Sequence, residues 1–177
     1  MQNNNGELVL DYYEKYLGYY KSIKRYSDEK SILQFLQYDG IISGCDTVAT
    51  LGVSKYISSE LTTEAIMIVD DEFEKSQEVL ANALFFIIQN NIELMPGTYI
   101  EGVANINREF EEDIDKSAIY FTSPFCFPED FYSDNNFLLA FFITSEEVQY
   151  IKENGAEAFE DYLERSGCDI FSIRRKK

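Results

Sequence analysis

The sequence predicts an α/β (α+β sandwich) fold, a single domain with a mixed β-sheet flanked by helices. Three observations predict it. Residues 62–69 (TTEAIMIV) are apolar on both faces in their second half, and residues 136–143 (NFLLAFFI) hold a short continuous apolar run bounded by polar residues, as expected of strands covered on both faces. Residues 70 to about 91 read as a helix whose apolar stripe (Phe73, Leu80, Ala83, Leu84, Ile87, Ile88) is so widened by Val79, Phe85 and Phe86 that it is expected to pack on the sheet. Strands lead and helices interleave irregularly, the pattern of one layered domain.

Taken in order, residues 1–6 read as a loose polar tail. Leu8, Tyr12, Tyr16, Tyr19, Tyr20 and Ile23 recur at steps of mostly three and four and predict an amphipathic helix, weakened at Gly18. Residues 31–38 (SILQFLQY) read as a strand followed by turns at Asp39-Gly40 and Gly44. Residues 47–53 alternate, with Ala49, Leu51 and Val53 on one face. Asp70, Asp71, Glu72 and Glu74 open the long helix, with negative charge where the helix dipole favours it. Met95-Pro96-Gly97 reads as a turn and residues 98–103 as a short strand. Residues 109–115 (EFEEDID) read as a charged surface excursion. Another strand follows at 118–122 and ends in the aromatic loop 123–128 (SPFCFP). Thr144 and Glu147 have capping-box spacing, opening a helix that stops at Gly155. A second helix, 156–166, stops at Gly167, residues 168–173 (CDIFSI) read as a closing strand, and residues 174–177 as a basic tail. The domain assignment is therefore one unit, residues 1–177.

Charge dominates the composition. Against 15 Lys and Arg stand 32 Asp and Glu, a formal net charge of −17. Small domains ordinarily carry a magnitude of about 2–8. Such a field repels nucleic-acid backbone and anionic lipid, and it speeds encounter with basic partners. The longest apolar run is far short of the approximately 20 residues of a membrane span, and the N-terminus lacks the basic and apolar regions of a signal peptide. The expected location is cytoplasmic.

Enzyme chemistry lacks its usual parts. Without histidine there is no Ser-His or Cys-His dyad and no imidazole metal ligand. No phosphate-cradling glycine motif occurs. Cys45, Cys126 and Cys168 lie far apart without metal spacing and read as small buried hydrophobes. Carboxylate runs at 70–72 and 111–113 could hold a hard cation, but they lack the central glycine of an EF-hand and read first as solvated faces. The expectation is no cofactor, no metal and no catalytic residue.

Several segments resemble the suppressor-of-fused-like family. Thr50-Leu51-Gly52-Val53-Ser54 is similar to the family's early T-L-G-x-S strand. Residues 118–128 (AIYFTSPFCFP) are similar to its hydrophobic-Pro-Phe loop, and residues 141–163 (FFITSEEVQYIKENGAEAFEDYL) to its closing I-T-x-E-E helix and G-x-E-A. Met95-Pro96-Gly97 and Asp169-Ile170-Phe171 resemble the bacterial branch. The resemblance spans roughly residues 24–175, and it departs from the family at one point, because no Trp stands near the Pro-Phe loop. It implies an α/β domain used for protein binding. The bacterial members it most resembles are antitoxin or immunity proteins encoded beside secreted toxins, often nucleases, with an LXG-type delivery region.

Together these readings predict a non-enzymatic immunity protein that neutralises a cognate toxin, expected to be a basic nuclease domain, by stoichiometric binding. The alternatives are a regulatory scaffold for another cytosolic protein and a carboxylate-based hydrolase. The predicted contact residues are Asp70, Asp71, Glu72 and Glu74 in one segment, and Glu109, Glu111, Glu112, Asp113 and Asp115 in the other.

Overall fold

Seven strands and four helices make up the described part of the computed structural model, which covers residues 5–57, 62–70, 73–102, 115–132 and 135–175. Strands β1 (Ser22–Ser27), β2 (Ile32–Asp39), β3 (Asp46–Leu51), β4 (Thr63–Val69), β5 (Tyr99–Glu101), β6 (Ala118–Thr122) and β7 (Asn136–Ile143) form one sheet in the order β1-β2-β3-β4-β7-β6-β5. Every pairing is antiparallel except β4 with β7. The two runs predicted to be covered on both faces are this parallel central pair. All seven residues of β4 are buried, as are seven of the eight of β7.

Helix α2 (Phe73–Asn90) lies on one face of the sheet and α1 (Asn5–Leu17), α3 (Ser145–Asn154) and α4 (Ala156–Ser166) on the other. The period-two alternation of the strands divides the core accordingly. Ala65, Met67, Val69, Leu138, Ala140 and Phe142 pack with Val79, Leu80, Leu84 and Ile87 of α2. Ile66, Ile68, Leu139, Phe141 and Ile143 pack with Tyr13, Val148, Ile151, Phe159 and Leu163. Each such side chain contributes about 1.5–3 kcal/mol on full burial, so the central strands anchor both layers.

Two predicted elements differ. The first helix stops at Leu17, because Gly18 takes a left-handed φ of 78°. The helical spacing of Tyr19, Tyr20 and Ile23 does not extend it, and residues 22–27 pair instead with β2 as an edge strand. Residues 168–173 are turns rather than a strand. There Asp169 Oδ1 accepts from Phe171 N, an Asx turn that competes with any ladder. Ile170 packs into one core layer and Ile173 into the other. The tyrosines of α1 serve packing. Tyr13 is fully buried with its hydroxyl donating to Thr50 O (3.1 Å), and Tyr12 and Tyr16 surround Phe131.

Among the described residues, no helix is long and apolar enough to cross a membrane.

Candidate functional site

The face built by α3, α4 and the C-terminal segment is strongly anionic. The capping box predicted at its start is present. Glu147 N donates to Thr144 Oγ1 (3.2 Å), and Thr144 N donates to Glu147 Oε2 (2.8 Å). Gly155 alone joins the helices, with φ 87° and ψ 166°, and Gly167 closes α4 in the left-handed conformation. Val148, Ile151, Phe159 and Leu163 turn inward. What remains outside is anionic: residues 145–169 hold eight carboxylates (Glu146, Glu147, Glu153, Glu157, Glu160, Asp161, Glu164, Asp169) against Lys152 and Arg165.

The C-terminal segment straps the carboxyl ends of the parallel pair. Asp70, just past β4, donates from its N to Phe171 O (3.1 Å) and accepts at Oδ1 from Ile173 N (2.9 Å). Arg175 spans β7 and α3, its Nη1 donating to Phe142 O (3.0 Å) and its Nη2 lying 2.6 Å from both oxygens of Glu147. Its side chain is only 6% exposed, so Arg175, predicted within a basic tail, is part of the folded body. Beside it Lys116 is 1% exposed. Burial, and then repulsion by Arg175, push its ammonium pKa down, against the opposing pull of Glu147 and Asp115.

Two adjoining grooves flank Gly167, Cys168 and Asp169. The first, about 680 Å³, runs between α3 and the strap and is lined by Lys116, Glu146, Glu147, Tyr150, Tyr162 and Arg175, among others. The second, about 640 Å³, has an apolar floor of Phe141, Leu163, Ile170 and Phe171. Its rim is Glu160, Asp161, Glu164 and Asp169, and no Lys or Arg among the described residues lines it. Phe125 overhangs it, 61% exposed, while its loop neighbour Phe127 is buried against Phe131. Glu160 Oε1 accepts from Tyr120 Oη (2.9 Å) and Thr122 Oγ1 (2.7 Å). Burial, and then that carboxylate, push the Tyr120 phenol well above its ordinary range. An apolar floor with a few fixed polar groups is the usual make-up of a recognition surface.

A second polar centre is buried at Glu64, whose carboxylate gathers the Thr50–Ser54 loop. It accepts from Thr50 Oγ1 (2.7 Å), Gly52 N (2.9 Å), Val53 N (3.2 Å) and Ser54 Oγ (3.0 Å). Gly52 holds φ 114° there. The carboxyl has no exposed surface, so it organises the turn after β3 and offers nothing to a partner. Among the described residues, no group of three or more His, Cys, Asp or Glu side chains is placed to hold a metal ion.

Of the predicted contact residues, Asp71, Glu72, Glu109, Glu111, Glu112 and Asp113 lie outside the described residues. Asp70 is committed to the strap, whose Phe171 lines the second groove. Glu74 lies in the first turn of α2, on the opposite layer, near Lys24 of β1. Asp115 is exposed and directly precedes Lys116 of the first groove. Sequence reasoning missed the eight carboxylates of residues 145–169 because helical periodicity spreads them along the chain. Their spacing around the inward-facing Val148, Ile151, Phe159 and Leu163 was the signal available.

Comparison with known proteins places the fold. The family model of the suppressor of fused protein (SUFU) matches residues 31–176. Immunity protein YqcF of Bacillus subtilis (strain 168) is 29% identical over 145 residues, 75% of this chain and 74% of that protein. The crystal structure of a putative SUFU homolog from Neisseria gonorrhoeae FA 1090 superposes with a TM-score of 0.74 at 17% identity, covering 97% of this chain and 95% of that one. The Sufu-Fu complex crystal structure matches with a TM-score of 0.65 at 10% identity, over 97% and 91%. Since the family model spans six of the seven strands and most of the chain, the chain belongs to the suppressor of fused family.

Proposed function

We propose that this protein is an immunity protein that binds a cognate secreted toxin, a basic nuclease domain, in fixed proportion and blocks it in the cytoplasm. The observation that carries the reading is the second groove, with its aromatic floor, four carboxylates and, among the described residues, no lining cation. An apolar centre desolvated inside a charged rim is the make-up of an interface hot spot. The net charge of −17 gives such a face its field, which raises association rate and specificity toward a basic target. The name of the Bacillus relative supports the immunity role. Stoichiometric inhibition asks for no catalytic residue, and none is assigned. Asp115, exposed beside Lys116 of the first groove, is a further contact residue, and Glu109, Glu111, Glu112 and Asp113 before it in sequence are proposed as contacts on their charge alone. Asp70 acts by holding the groove wall.

The test is co-expression with the toxin encoded by the adjacent gene. Growth rescue, recovery of an equimolar complex, and loss of low-salt on-rate in a Glu160→Gln, Asp161→Asn, Glu164→Gln triple variant are expected. Failure to rescue growth, or turnover of a substrate by the chain alone, would overturn the reading.

A further inference from the structure

We infer that the groove under Phe125 is a receptor for a single arginine side chain of a protein partner, with Glu160 as its fixed counter-charge. This deepens the binding role proposed above and rests on it for the partner being a protein.

Glu160 is held from beneath by two hydroxyls of the sheet. Both hydrogen bonds, from Tyr120 and Thr122 of β6, end on Oε1. Oε2 is therefore left to accept from outside, and the rotamer is locked before any partner arrives. Pre-organisation of this kind lowers the ordering cost of binding. Phe125 and Phe141 supply ring surface beside it. Leu163, Ile170 and Phe171 supply an apolar wall for an aliphatic stem. A side chain with a long apolar stem and a cationic head fits such a site. The molecule shows the same chemistry within itself, since the guanidinium of Arg175 lies over the ring of Phe141 at 5.8 Å while donating to a carboxylate. Guanidinium is favoured over ammonium because it is planar, stacks on rings and donates in a fork. The remaining carboxylates, Asp161, Glu164 and Asp169, add field, and no Lys or Arg among the described residues lines the groove to compete.

The test uses the full isotopically labelled chain and three capped peptides, Leu-Arg-Leu, Leu-Lys-Leu and Leu-citrulline-Leu, at millimolar concentration. Amide shifts confined to residues 120–125 and 160–171 are expected with the arginine peptide, weaker ones with lysine, and none with citrulline. Glu160→Gln keeps an acceptor for Tyr120 and Thr122, and should weaken arginine binding about tenfold or more, the scale of a charge-assisted hydrogen bond. Phe125→Ala, at an exposed loop position, should weaken it without altering the spectrum elsewhere. Equal binding of citrulline, shifts elsewhere, or no shifts with arginine would each overturn the inference. Growth rescue separates the two readings. Rescue intact in both variants, with no peptide bound, removes the groove alone. Arginine binding without any rescue removes the immunity role alone.

Discussion

Arg175 Nη2 lies 2.6 Å from both carboxylate oxygens of Glu147, and this contact joins the C-terminal strap to the capping box of α3. One carboxylate thus closes a helix terminus and neutralises a buried guanidinium. Both grooves border the segment so secured.

Arg175→Ala should therefore destabilise the fold by about 3 kcal/mol, because it strands a largely buried carboxylate. Arg175→Lys should recover little, since a point charge cannot span Glu147 and Phe142 O together. Urea unfolding of the variants measures both effects, and equal midpoints for wild type and Arg175→Ala would refute the coupling.

Thr144→Ala removes the capping hydroxyl and should cost about 1 kcal/mol. Combined with Arg175→Ala, its cost should not add, because both changes loosen Glu147, one at its backbone N–H and the other at its carboxylate. A double-mutant cycle reads the interaction directly, and contacting residues ordinarily couple by about 0.5–3 kcal/mol. Strict additivity would show that the two ends of Glu147 act independently.

Glu64 titrates above the usual carboxylate range, since burial outweighs the hydrogen bonds from Thr50, Gly52, Ser54 and Val53. A carboxyl with a raised folded-state pKa contributes stability that is full below its unfolded value of about 4.3 and is lost as pH rises through the folded value. The stability of wild type minus that of Glu64→Gln should accordingly fall between acid and neutral pH. A difference that grows with pH would mean that the donors win over burial. Glu64→Ala strands several donors at once and should cost on the order of 3 kcal/mol or more at any pH.

Cys126 should resist alkylation. Burial pushes its thiol up to about 11, and burial also raises Cys45 ahead of the nearby Asp70 and Asp169 charges. Only the thiolate reacts, so near pH 8 Cys126 should label on the order of a hundredfold more slowly than a free thiol of ordinary pKa about 8.5. Mass-resolved labelling of the folded chain tests this, with the urea-unfolded chain as reference. Equal rates in the two states would contradict it.

Gly97→Ala should destabilise the junction below α4. Its φ is 92°, and a Cβ there would meet Ala156 Cβ at 3.0 Å. Left-handed backbone costs an L-residue roughly 1–2 kcal/mol before any clash. Thermal unfolding reads the loss, and an unchanged midpoint would show that the turn relaxes freely.

Much of the fold was legible along the chain because the information was local. The apolar second half of β4 and the continuous apolar run of β7 announced strands covered on both faces, and Thr144 with Glu147 announced the start of α3. Gly167 announced the end of α4 through its left-handed backbone. The T-L-G-V-S turn was visible too, although the Glu64 that gathers it is ten residues beyond Ser54 in sequence. Locality failed where two periods competed. Ile23 continues a helical stripe on paper, yet only pairing with Leu36 across the sheet decides that it belongs to a strand.

By itself, then, the sequence determined the layered class, the central strands, the helix caps and the strongly anionic character, all consequences of period, turn chemistry and composition. The tertiary structure decided where charge and aromatic surface coincide. Glu160, Phe125, Phe141 and Phe171 are scattered over nearly fifty residues, and they meet only because α4 and the strap fold back over β6 and β7. Side-chain chemistry is written residue by residue, whereas a recognition groove depends on distances between segments that no local rule encodes.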